Sequence, residues 1–532
     1  MPGSLSRSRE SMERRPLLPK PQVDSSHLRK RGAFSPYRRV LLATFLLSTT
    51  FAFTATPLTY GYRLFNCEEY YKTHPPYEGD GDACAVPAIE ARTAKDITVM
   101  LCLATLSGTI NLIFTTWQIN HWGLRKAIVQ QTFWPALRNL CQIYAITVGG
   151  ATGIQIINGT QLITILGGGA GYLLSANAYM AEVVEPGERT AAFGVLAGMA
   201  MLGVAIGYIG GGVVWALVRF ETPFQITFCL LVLSTLFTAF FLPYIPPGGF
   251  PLRSGTASNP VSPERDVKTT SFFSFLRPLG IFWPAKYADG SGRFWGVSLL
   301  GFGAFTSVMS TGYVASPVPL SDIVLPLTAR QPLMLQLTAT NKYGFKPVDN
   351  GLLMSCNSLS RAAFLTLVFP RIISRGRKYL SSRTAADDNA LPPAESSCTR
   401  KPIHGSAFDL EFLRFSMIID SILIGILIFS CRSGHIWAAA LITPLASGTA
   451  PACKGVLLDM VPAKSKAEAL AGIALIETAA NIFTATLYGA LFACLSRAGL
   501  PNLIFLYNSV TALAAALVLF AVRYPRGKLV GQ

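Results

Sequence analysis

Charged side chains are scarce in this chain, at 14% of its 532 residues against roughly 25% in an average soluble protein, whereas 51% are hydrophobic. A soluble chain of this length would divide into domains with charged surfaces, and the composition excludes that. Cysteine offers little to a metal or redox centre. The ten cysteines include no CxxC pair and no Cys/His metal spacing, and most lie in apolar runs, where they read as small buried hydrophobes. Ser/His/Asp sets, P-loops and dinucleotide fingerprints are missing as well, so no enzyme, cofactor or metal is expected. Residues 1–38 contain no apolar run that could serve as a cleavable signal peptide. The basic residues behind the formal charge of +17 lack interleaved aromatics, which argues against nucleic acid as a partner.

What is present is a series of apolar blocks of about 20 residues, the length that crosses a bilayer as a helix. They predict spans near 39–62, 96–117, 126–148, 157–182, 190–217 and 223–244, then near 294–317, 351–373, 411–431, 435–459, 466–494 and 501–523. The expected fold class is therefore an all-α polytopic membrane protein with twelve transmembrane helices in two six-helix bundles. Its parts are a basic cytosolic tail (1–38), an N-terminal bundle (39–244), a central cytosolic loop (245–293), a C-terminal bundle (294–523) and a cytosolic tail (524–532).

Lys and Arg set the orientation. Ten of them precede residue 40, and the loops at 123–126, 253–293 and 374–401 are also basic, which places these segments and both termini in the cytosol. The acidic loop NCEEYYKTHPPYEGDGDACAVPAIE lies on the other side. Cys67 and Cys84 in that loop then face an oxidising compartment, where a disulfide is expected; two free thiols are the alternative.

The two halves repeat faintly. INHWGLRKAI (119–128) follows the second span as ISRGRKYL (373–380) follows the eighth, which pairs Gly123, Arg125 and Lys126 with Gly376, Arg377 and Lys378. AEVVEPGERTAAFG after the fourth span likewise has a counterpart in LDMVPAKSKAEALAG after the tenth. Repeated halves are the plan of secondary transporters, whose bundles rock about a midplane site.

On these residues the chain resembles the major facilitator superfamily from its first span onward. TWQINHWGLRKA is similar to the family's G-x-x-x-D-R-x-G-R-K loop at Gly123, Arg125 and Lys126, with Thr116, Asn120 and His121 replacing a glycine, the aspartate and an arginine. GVAIGYIGGG in the fifth span is similar to the antiporter motif through Gly203, Gly207, Gly210 and Gly211, with Tyr208 in place of its proline. NAYMAEVVEPGERTAAFG looks like the span-four to span-five junction of drug–proton antiporter and tetracycline-efflux members. The C-x-x-YY…C loop, TQLITILGGGAGYLL and NKYGFKPVDNGLLMS resemble a fungal branch found with secondary-metabolite genes. The resemblance implies efflux of a small amphipathic metabolite by proton antiport, in a monomer embedded in the lipid bilayer. A nutrient importer or vacuolar transporter on the same fold is the alternative, followed by a transport-dead receptor or scaffold. The plasma membrane is the expected site, with the vacuolar membrane as the alternative.

Physical reasoning assigns roles to individual residues. The spacing of the four fifth-span glycines suits close helix packing, with span two or its partners as the neighbour. Ionisable groups at membrane depth are costly and usually functional. Arg361, Glu477 and Asn481 are the candidate coupling or substrate residues; Glu477 and Asn481 share a helix face, and an Arg361–Glu477 contact would neutralise both charges. Arg138 and Asp420, on the third and ninth spans, are expected to serve packing. Glu182 and Arg189 are the expected members of a cytosolic gate latch, with a solvated loop as the alternative. GGGAG at 167–171 lies in an apolar span and reads as packing rather than phosphate binding.

Two local features stand apart. ERRPLL has the spacing of an acidic dileucine sorting signal through Glu13, Leu17 and Leu18. The stretch VASPVPLSDIVLPLTARQ (314–331) interrupts the seventh span with three prolines and Asp322. It reads as an in-frame retained intron of 18 codons or as a genuine external loop.

Overall fold

The computed structural model describes residues 35–75, 83–84, 86–245, 278–287, 293–311, 347–388, 404–462, 465–497, 500 and 503–525. The dileucine pattern at Glu13, Leu17 and Leu18 and the stretch 314–331 lie outside them.

Span one is a pair of helices, α1 (Pro36–Phe53) and α2 (Ala55–Tyr71), and span two is α3 (Pro87–Trp122). Span three is α4 (Leu124–Val148), and span four joins α5 (Gly150–Thr160) to α6 (Gly169–Val183) through a 3₁₀ turn at Gln161–Ile165. Spans five and six are α7 (Arg189–Leu217) and α8 (Thr222–Phe241). In the second half, α9 (Gly296–Thr311) belongs to span seven, preceded by a short antiparallel pairing of β1 (Ala285–Lys286) with β2 (Arg293–Phe294). Span eight is α10 (Pro347–Ala363), a π turn at Phe364–Val368 and α11 (Phe369–Asp388); span nine is α12 (His404–Ile426). Span ten joins α13 (Ser433–Ile442) to α14 (Thr449–Met460) through a 3₁₀ turn at Thr443–Ala446. Spans eleven and twelve are α15 (Lys466–Arg497) and α16 (Leu503–Ala521).

Among the described residues, seven helical segments are long and apolar enough to cross a membrane on length and composition alone. Spans three, four and eleven also bury polar side chains against neighbours, among them Gln131, Asn139, Gln161 and Asn481. This is an integral, multi-pass membrane protein.

Several boundaries differ from the sequence expectation: span two begins at Pro87 and not near 96, span four at Gly150 and not near 157, and span nine at His404 and not near 411. The first span does not stop near residue 62, because α2 continues to Tyr71 and carries Cys67 on its last turns; Cys67 is bonded to Cys84 with a Cα–Cα distance of 5.4 Å. The eighth span does not stop near 373. Its helix runs to Asp388, since nothing in RGRKYLSSRTAADD breaks it, so Gly376, Arg377 and Lys378 stand on a helix and not in a loop. Gly123 does break its helix, with a φ of +81° that favours glycine.

The fifth-span glycines pack as their spacing predicts, but against span one and not span two. A Cβ at Gly203 would lie 2.5 Å from the carbonyl oxygen of Phe45, and one at Gly207 2.5 Å from that of Thr49; Gly211 abuts the carbonyl of Phe53 and Gly210 its ring. Their partners Phe45, Thr49 and Phe53 are themselves spaced by four residues along one face of α1, so the two backbones close along a continuous seam. The opposite face of α7 meets span eight, where Gly194 is pressed against Phe369 and Gly198 lies 2.6 Å from Thr366 on the same construction. α7 thus binds the first span of its own bundle and the eighth of the other.

Candidate functional site

The fourth and tenth spans are both interrupted at mid-membrane, where free backbone groups find no water and each would cost several kcal/mol if unpaired. In span four the polar side chains of spans two and three close the gap. Asn111 Nδ2 donates to the Ile165 carbonyl (3.2 Å) and to Gln131 Oε1 (3.1 Å), and its Oδ1 accepts from the Gly171 N–H (2.8 Å). Gln131 Oε1 also accepts from the Gly168 N–H (2.8 Å), while its Nε2 donates to Thr115 (2.9 Å) and Gln118 (2.8 Å). Gln118 in turn donates to the Leu166 carbonyl (3.3 Å). The glycines of GGGAG make room for this collar; a Cβ at Gly171 would collide with Thr115, Asn111 and Gln131. The N-terminus of α6 is therefore occupied by protein groups, and the GGGAG run serves packing.

Span ten repeats the arrangement. Asn357 Nδ2 donates to the Ala440 carbonyl (3.0 Å), Ser360 Oγ to that of Leu441 (2.7 Å), and Ser416 Oγ to that of Ala446 (3.0 Å). The donors come from spans eight and nine, as those of the first half come from two and three. A sequence signal accompanies the two breaks: LITILGGG (162–169) and LITPLASG (441–448) share Leu, Ile, Thr, Leu and Gly at matching places.

The ion pair at membrane depth joins Glu477 to Lys454, with Lys454 Nζ 3.3 Å from Glu477 Oε2. The expected Arg361–Glu477 neutralisation gives way to this pair, because Lys454 on α14 lies directly across from Glu477 on α15. Arg361 is buried in the last turn of α10. Both members of the pair are partly exposed, at 17% and 22% of their side chains. Their faces are set by the turns below them. On α15, Leu470, Ala471, Ala474 and Leu475 pack into the core of the N-terminal bundle, and Glu477 and Asn481 continue that stripe upward. On α14, Leu458 packs into the same core, and Lys454 stands one turn above it. The pair thus rests immediately above the layer where the two bundles touch, with Asn481 one turn further in.

That layer closes the side that the Lys/Arg distribution assigns to the cytosol. Thr190 at the start of α7 fills the space over Gly455 of α14, and Ala191 and Ala197 pack into the core of the C-terminal bundle. Beneath it a polar network crosses the bundles. Arg377 forms a buried ion pair with Asp409 of span nine (Nε to Oδ1 2.9 Å) and also donates to the Thr190 hydroxyl (3.0 Å) and the Gly187 carbonyl. Thr190 donates to Asp409. The side chains of Arg377 and Asp409 are 10% and 0% exposed, and α11 holds Gly376 against the Phe408 ring, so the pair is held close to the junction.

The expected latch members occupy this region without pairing with each other. Arg189 is buried and its Nε donates to the Ala181 carbonyl at the end of α6 (2.9 Å), which ties spans four and five of one bundle. Glu182 acts on it only through space, as does Asp459 of span ten, and no Glu182–Arg189 ion pair shorter than 4 Å forms. Arg125 also stays within its own bundle, donating to the Ala239 carbonyl at the end of α8, where Arg39 donates to Phe241 (2.7 Å). Arg414 does the same for span twelve, through Leu519 (3.0 Å) and Val522 (2.6 Å). Lys126 and Lys378 are exposed.

Arg138 binds Thr164 (2.9 Å) and Gln161 (3.4 Å) of span four, and Asp420 accepts from Ser310 of span seven (3.3 Å). Asn158 is engaged by the Tyr62 hydroxyl (2.8 Å). At the end of α2, Lys72 donates to Glu69 (3.1 Å). Sequence reasoning missed Thr190, Asp409 and Lys454. Lys454 was detectable, as the lone charge in the middle of an apolar block; Asp409 and Thr190 carry no such mark.

No protein-family model matches the sequence, and no curated protein matches it. Solved structures do match the fold. The human organic anion transporter MFSD10 (TETRAN) aligns with a TM-score of 0.61 and 13% identity, over 91% of this chain and 99% of that one. A bacterial homologue of the iron transporter ferroportin in an outward-facing state aligns with a TM-score of 0.50 and 11% identity, over 91% of this chain and 98% of that one. The same homologue soaked with iron gives a TM-score of 0.51 at 11% identity. The chain has the twelve-helix, two-bundle fold of the major facilitator transporters.

Proposed function

We propose that the chain is a secondary active transporter that exports a small amphipathic metabolite in a proton-coupled cycle. The observation that carries this reading is the Lys454–Glu477 pair, only 17% and 22% exposed, standing on the layer where the two bundles pack together. A pair of opposite charges at membrane depth is costly to keep unless it exchanges partners during a cycle. The fold shared with two transporters supports the reading, as do the mid-membrane breaks in spans four and ten, which place short helices around a central site. The drug–proton antiporter resemblance of the fifth-span glycines supports export, and the plasma membrane is the corresponding location, with the protein acting as a monomer. The Arg377–Asp409–Thr190 network is the latch that holds the cytosolic side closed. Glu477→Gln should abolish uphill transport in whole cells at normal surface expression. Unchanged accumulation and release of a panel of labelled metabolites would remove Glu477 from the mechanism.

A further inference from the structure

The residues just before span seven do more than lead into it. We propose that Pro278–Trp283 is a brace: the Phe282 ring, seated between spans seven and eleven, presses the inner half of α15 onto the N-terminal bundle and so holds the side assigned to the cytosol closed. Closure of this kind is independent of what the protein carries.

The inner half of α15, KAEALAGIALIE (466–477), is built largely from small residues and sorts them onto two faces. Ala467, Leu470, Ala471, Ala474 and Leu475 pack into the core of the N-terminal bundle, three or four positions apart as one helix face requires. Leu470 and Ala471, with Leu458 of α14, are the buried residues through which the C-terminal bundle enters that core. The opposite face carries Ala469, Gly472, Ile473 and Ile476. Ala469 and Ile473 reach the C-terminal core. Gly472 leaves a notch between them, and Gly301 of α9 leaves a second.

Phe282 fills both. A Cβ at Gly472 would lie 2.8 Å from the Phe282 ring and 2.6 Å from the Pro278 carbonyl oxygen, and one at Gly301 2.5 Å from the same ring. Glycine inside a helix is unfavourable in itself, so two of them bordering one aromatic ring mark a seat shaped for it. The backbone around the ring is also fixed. Ser298 donates to the Phe282 carbonyl, and the Trp283 N–H closes the turn on the Gly280 carbonyl (3.1 Å). The β1–β2 pairing follows at once, with Phe294 pressed on Gly296. Ile281 packs into the C-terminal core, whereas Trp283 is 77% exposed.

Close packing transmits the push of the ring to the far face of the helix. With Phe282 in place, α15 has no room to retreat toward α9. Without it, the vacated volume lets α15 settle back, and Leu470 and Ala471 lose their hold on the other bundle. Phe282 stands before the first residue of α9, so it can leave its seat without a span unfolding.

The test uses the purified full chain in lipid nanodiscs, with Ala471→Cys in a background without other free thiols. Its reaction with a membrane-impermeant maleimide reports opening of the layer. Phe282→Ala, and Gly472→Ala, which evicts the ring, should each raise the labelling rate on the order of tenfold or more. Phe282→Leu refills most of the seat and should return the rate to within about threefold of the parent. Trp283→Ala should leave it unchanged. Lower melting temperatures in Phe282→Ala and Gly472→Ala with labelling at the parent rate would reduce the ring to packing and overturn the brace. Equal acceleration in Trp283→Ala would overturn it as well. Should Phe282→Ala not fold, Gly301→Ala, which crowds the ring from α9, takes its place and is held to the same outcomes.

Discussion

The two segments that follow the predicted ends of spans two and eight are related in sequence, yet they fold and bind differently. After span two, Gly123 turns the chain at a φ of +81°, and Arg125 caps the carboxyl end of α8 in its own bundle. After span eight the helix continues through Gly376, and that rigid extension lets Arg377 reach both Asp409 and the Gly187–Thr190 corner of the opposite bundle. One loop stabilises a bundle; the other holds two bundles together. The difference traces to a single conformational choice, a broken helix in one case and an unbroken one in the other.

The comparison breaks most visibly at Arg377. Arg377→Ala leaves Asp409 buried without a cation, a loss of about 3–5 kcal/mol, and should shift the protein toward cytosol-open forms, read by thiol labelling from the cytosolic side. Thr190→Val removes the hydroxyl through which the N-terminal bundle binds both Arg377 and Asp409 of the other bundle. Hydrogen bonds to charged groups are worth about 1.5–3 kcal/mol, so labelling should rise roughly tenfold or more while melting of the separate bundles stays unchanged. Gly376→Ala drives a methyl into Phe408 and should cost about 1–3 kcal/mol, measured as a fall in thermal stability with partial opening. Arg125→Ala should have the smallest effect, about 0.3–1 kcal/mol of lost helix capping, visible in melting and silent in cytosolic labelling. Equal labelling of Arg125→Ala and Arg377→Ala would erase the distinction between the loops.

Much of the fold was legible because membrane spans announce themselves as apolar blocks. The fifth-span glycines were legible as a packing face, but their partner was not, since spacing specifies a face and not a neighbour. The latch was legible only in part. Arg377 belongs to a recognisable loop pattern, whereas Asp409 and Thr190 reach it from 32 and 187 positions away and no local rule links them. Glu477 stood out as a charge in a span; its partner depended on which of two cations, Arg361 or Lys454, faced it, and only the helix rotations decide that. The collars around the breaks in spans four and ten are hidden for a related reason. Asn111, Gln131 and Asn357 look like ordinary polar residues until the carbonyls they bind are placed beside them.

The central claim is that Arg377, acting on Gly187, Thr190 and Asp409, holds the cytosolic ends of the two bundles together. It is tested most directly by double electron–electron resonance between spin labels at Lys126 and Lys378, one on each cytosolic edge, in a background without other reactive cysteines. A short, narrow distance distribution is predicted for the parent chain without substrate, moving to longer and broader distances in Arg377→Ala. The same narrow distribution in Arg377→Ala would contradict the account.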